Sequence, residues 1–62
     1  MKTSFKTQGT SINLKTYDYQ ISVFPGMYVL LNQKYYTVEQ AILNLEKDEL
    51  VVLVKRSLME PV

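Results

Sequence analysis

Thr37-Val38-Glu39-Gln40-Ala41-Ile42-Leu43-Asn44-Leu45-Glu46-Lys47-Asp48 is the stretch whose reading decides the fold. Val38, Ala41, Ile42 and Leu45 fall at i, i+3, i+4 and i+7, the spacing of one helical face. Thr37 followed three residues later by Gln40 fits a capping box. Glu39 in a first turn and Lys47 in a last turn would both suit a helix dipole. Ala, Gln, Leu, Glu and Lys are good helix formers. These signals agree, while strand alternation fails at Ile42, so the spacing predicts a helix over residues 37–48. The competing reading is a hairpin turning at Glu46-Lys47-Asp48, with Ala41, Leu43 and Leu45 set against Leu50, Val52 and Val54. That reading makes the chain an all-β, SH3-like barrel.

Strands are expected on both sides of this stretch. Downstream, Leu50-Val51-Val52-Leu53-Val54 is β-branched and apolar on both faces, which calls for cover on both sides. Upstream, Lys34-Tyr35-Tyr36 and Met27-Tyr28-Val29-Leu30-Leu31 flank Asn32-Gln33, a tight hairpin candidate because Asn tolerates left-handed geometry. Met27–Leu31, again apolar on both faces, is expected at the centre of a sheet or at an interface. Pro25-Gly26 is a type II turn signal: Pro fixes φ at the second position and Gly accepts positive φ at the third. Ile12 and Leu14 alternate with polar residues, as do Tyr19, Ile21 and Val23, with a phase change near residues 16–18. Two strands follow, about 11–16 and 19–24, or one bulged strand. Residues 1–10 hold Phe5 as their one large apolar anchor beside Met1, with Gly9 marking a turn. They read as an edge strand or a loose arm, and residues 57–62 as a tail.

The expected architecture is therefore a single α+β domain over residues 1–62. Its sheet is small and mainly antiparallel, with four or five strands and one helix, about 37–48, packed on it.

Composition excludes much. The 62 residues include no Cys, His or Trp. Disulfides, thiolate or imidazole metal sites and Ser–His or Cys–His catalysis are ruled out with them. Gly9 and Gly26 are the only glycines, so no phosphate-cradling loop is present. Asp48 and Glu49, with Glu46 nearby, read as a solvated loop and not as an acid–base or cation site. No catalytic residue, metal site or cofactor is expected, and the chain is not expected to be an enzyme. The longest aliphatic run, Leu50–Val54, falls far short of the roughly 20 residues of a membrane-spanning helix. The N-terminal residues lack the apolar stretch of a signal peptide, so a cytoplasmic setting is expected.

Two functional readings remain. A chain this short buries only about 60% of its unfolded surface, and without disulfides or metal a partner subunit is the remaining brace. The surplus of apolar strand predicts a small, self-associating interaction or assembly module, a dimer first, and an accessory or regulatory factor for a larger protein beyond that. Met27, Val29, Leu31, Val51, Leu53, Leu58 and Met59 are its candidate partner-binding residues. The alternative is a small nucleic-acid-binding domain using Lys15, Tyr17, Tyr19, Lys34, Tyr35, Tyr36, Lys55 and Arg56, since aromatic faces stack bases beside cations that hold phosphates. Against it stand one Arg in the whole chain and a pI of 8.0, where such domains exceed about 9. Charge is otherwise spaced singly. Residues 1–34 carry four lysines and one acid, and residues 35–62 carry three bases and five acids, which is the pattern of a solvated face.

Overall fold

The computed structural model describes residues 1–9 and 12–57. They form five strands: β1 (Lys2–Thr7), β2 (Asn13–Tyr17), β3 (Tyr28–Leu31), β4 (Lys34–Asn44) and β5 (Glu49–Arg56). The strands make one curled half-barrel sheet in the order β2-β1-β5-β4-β3. Neighbours run antiparallel except β1 and β5, which are parallel.

The helix expected over residues 37–48 is absent, and with it the α+β class; the all-β alternative fits. The physical reason lies at Glu39. The register between β4 and β5 slips by one residue between Val38 and Gln40, so Val38 opposes Val54 while Ala41 opposes Val52. A β-bulge inserts one residue and reverses which face the following side chains occupy. Tyr36 and Val38 are buried on the concave face before the bulge, and Ala41 and Leu43 share that face after it, opposite Val52 and Leu50, although both are exposed. The Val38-to-Ala41 spacing of three, taken above for a helical turn, is the bulge. The chain then reverses over Leu45–Asp48. There the Asn44 side-chain oxygen accepts from the Glu46 and Lys47 N–H groups at 3.1 and 3.2 Å, and Asp48 takes φ 52°. Asn and Asp, whose short side chains satisfy local backbone, suit such a turn.

The turns read at Pro25-Gly26 and Asn32-Gln33 are present. Phe24 C=O accepts from Met27 N–H at 3.0 Å with Gly26 at φ 90°, the geometry of a type II turn. Asn32 and Gln33 both take positive φ, 51° and 65°, between paired Leu31 and Lys34, which is a two-residue type I′ hairpin. Residues 19–24 do not form the second strand that their alternation suggests. β2 ends at Tyr17 on one edge of the sheet and β3 begins on the opposite edge, so the chain from residue 18 must cross the concave face, and its backbone first bonds to that of a strand at Gly26 and Met27, which meet Val38 of β4. Ile21, Val23 and Met27 nevertheless pack on the core, as the alternation implies.

Thr3 fastens this crossing. Its hydroxyl donates to Tyr19 C=O at 2.8 Å and accepts from Ile21 N–H at 3.0 Å, and the residue is fully buried. Around it, Phe5, Leu31, Tyr36, Val38, Val52 and Val54 form the buried core, with Leu14, Tyr17, Val29 and Leu50 at its border. The Phe5 and Tyr17 rings meet edge to face with centroids 6.0 Å apart. The N-terminal segment is thus neither an edge nor an arm: β1 is paired on both sides, by β2 and by β5. Phe5, buried among Val52 and its neighbours, anchors it on the concave face.

Candidate functional site

Met27–Leu31 lies at an edge of the sheet and not at its centre. Period-2 alternation then divides its residues between two fates. Val29 and Leu31 point inward with Met27, Leu31 buried and the other two half-buried. These three candidate partner residues are engaged by their own chain. Tyr28 and Leu30 point the other way and are 52% and 61% exposed. The sequence reading missed both, although the same alternation would have identified them once an edge position was known.

The free edge of β3 can be drawn from its ladder. Val38 N–H donates to Met27 C=O at 2.8 Å, so residue 27 is bonded toward β4. In an antiparallel pair, bonded and non-bonded positions alternate, so Val29 and Leu31 also bond toward β4. The N–H and C=O groups of Tyr28 and Leu30 consequently face away from β4, where the sheet ends.

Val51 and Leu53 lie on the convex face of β5, half-buried between β1 and β4. Val51 is flanked by Ile42 and Ser4, and Leu53 by Gln40 and Lys6. Thr37 and Lys55 stand between this pair and Tyr28. The convex face is polar farther toward β2. Ser4 donates to the Glu49 carboxylate at 2.6 Å and lies 3.4 Å from the Thr16 hydroxyl, which in turn meets Asn13. Leu58 and Met59, the last of the candidate partner residues, lie outside the described residues.

Eight residues were candidates for nucleic acid, and the fold separates them into two groups. Lys15, Tyr17 and Tyr19 gather at the β2 edge. The Lys15 ammonium sits 5.8 Å from the Tyr17 ring centre, and the Tyr17 and Tyr19 rings are 5.6 Å apart. Lys34, Tyr35, Tyr36, Lys55 and Arg56 belong to β4 and β5, across β1. Tyr36 is buried in the core, so its ring offers no face for stacking, and Tyr35 and Lys55 lie on the convex side. No single strip of alternating aromatics and cations results.

Among the described residues there is no enclosed pocket, no cluster of three acidic ligands and no helix long and apolar enough to cross a membrane. Of the other exposed apolar residues, Ile12, Tyr19 and Phe24 lie in the connections between strands, and Ile42, Leu43 and Leu45 gather in the β4–β5 hairpin. Ile42 and Leu43 project from opposite faces, and Glu46, Lys47, Asp48 and Glu49 surround the turn. That hairpin therefore offers no continuous apolar surface. No protein-family model, curated protein or solved structure matches the chain.

Proposed function

We propose that this chain is a non-catalytic interaction module whose work is assembly, through self-association first and through docking on a larger protein beyond that. The observation that carries this reading is β3: among the described residues it is an edge strand with no neighbour beyond it, with Tyr28 and Leu30 side chains in solvent and their backbone groups turned outward. Large exposed apolar side chains along an unpaired strand are costly in solution and are covered when another chain adds to the sheet. The half-buried Val51 and Leu53 supply further apolar surface on the convex face.

Sedimentation of the wild-type chain across a dilution series tests the reading. A mass that rises above 7.2 kDa with concentration is the expected result. A 7.2 kDa species at every concentration refutes self-association.

A further inference from the structure

We infer that the partner on the β3 edge is a second copy of the same strand, added antiparallel about a two-fold axis through Val29. The inference rests on the assembly reading above and specifies its surface, partner and register.

The two edges of the sheet differ in what they permit. At the β2 edge stand Lys15 and, just beyond the strand, Asp18; the β1–β2 ladder is bulged, and Asn13 and Thr16 bond to each other. Charge and irregularity of this kind discourage strand addition. The β3 edge has none of it. From Tyr19 to Gln33 the chain carries no charged residue, and Pro25 stands outside the strand. In a two-fold interface each patch meets its own image, so a charged edge would face like charge. An uncharged one meets no such penalty, and this favours a second copy over a partner selected by charge.

The register follows from the bonding alternation. Tyr28 and Leu30 hold the outward backbone groups, so each must oppose a residue of the same kind. Pairing Tyr28 with Leu30 of the partner subunit, and Leu30 with Tyr28 of the partner subunit, satisfies all of them. Val29 then meets its own image at a non-bonded position. Each exposed Tyr ring lies beside an exposed Leu on the convex face, an aromatic–aliphatic pairing that stabilises sheets. One surface thereby covers the backbone edge and both exposed side chains of β3, and two five-stranded sheets become one of ten.

Sedimentation of three variants beside wild type tests this. Leu30→Pro removes an N–H that faces the free edge and leaves the β3–β4 bonds intact. Leu30→Lys keeps every backbone group and places charge on the edge. Both are expected to weaken the dimer at least tenfold, with amide NMR spectra confirming that the fold persists; should Leu30→Pro unfold the chain, Leu30→Lys alone decides. Val29→Cys introduces the only thiol at a position about 4.5 Å between Cα atoms in the dimer, within disulfide range. It is expected to cross-link under mild oxidation more than tenfold faster than Glu46→Cys in the distant hairpin. A wild-type dimer that survives Leu30→Lys overturns this inference and leaves the assembly reading standing. Cross-linking of Val29→Cys no faster than Glu46→Cys overturns the register. A wild-type monomer at all concentrations removes both.

Discussion

Met27–Leu31 and Leu50–Val54 look alike as sequence, five apolar residues each, yet the fold treats them oppositely. The second becomes the middle of β5, with β1 on one side and β4 on the other. Val52 and Val54 are fully buried on its inner face, and Val51 and Leu53 are half-covered by neighbours on its outer face. The first becomes β3, which among the described residues has β4 on one side and no strand on the other. The lesson is that a strand apolar on both faces states a requirement for cover without stating who supplies it. For β5 the chain supplies it; for β3 the inner face is supplied and the outer is not.

The comparison breaks most visibly at the residue that covers β5. Phe5 opposes Val52 and fills the concave face. Phe5→Ala is expected to cost about 3–5 kcal/mol, read by chemical denaturation. A chain of this size is stable by only about 3–9 kcal/mol, so the variant sits near unfolding at room temperature. Next in size is Thr3→Val, nearly the same shape without the hydroxyl. It leaves Tyr19 C=O and Ile21 N–H without their partner and is expected to cost about 1–3 kcal/mol, with faster amide exchange at Ile21. Unchanged exchange there would show that residues 18–27 are held by Ile21 and Val23 packing alone.

The β3 side responds differently. Gln33 occupies the second left-handed position of the type I′ turn, where a side chain costs about 1–2 kcal/mol and Gly forfeits only about 0.5–1 through chain entropy. Gln33→Gly is expected to stabilise the chain by about 0.5–1 kcal/mol while leaving its self-association unchanged, since the edge itself is untouched. The smallest effect on the isolated fold belongs to Leu30→Ser. Loss of an exposed side chain is expected to alter monomer stability by no more than about 0.5 kcal/mol. A larger loss, measured where the protein is monomeric, would mean that Leu30 is covered within its own chain and that β3 and β5 are less different than their positions indicate.

The candidate site was only partly legible beforehand. That Met27–Leu31 needs cover on both faces could be read from its composition, but the residues named as its partner contacts, Met27, Val29 and Leu31, face the core, and Tyr28 and Leu30 carry the exposure. Alternation groups residues 27, 29 and 31 against 28 and 30, and nothing local says which group turns inward. The tyrosines and cations named for nucleic acid were scattered for a related reason: their spacing along the chain does not reveal that β2 and β4 are separated by two other strands.

Local chemistry sufficed wherever a few adjacent residues governed the backbone. Pro25-Gly26 set a type II turn, Asn32-Gln33 a two-residue reversal, and the β-branched run after Glu49 a strand. Tertiary pairing alone decided the state of residues 37–44, because a bulged strand and a helix place Val38 and Ala41 at the same sequence spacing. Their inward faces became strand once Val52 and Val54 stood alongside to be covered. The same global pairing placed β1 between β2 and β5 and left β3 at the rim, since which backbone edge stays open depends on the order of all five strands and is written in none of them singly.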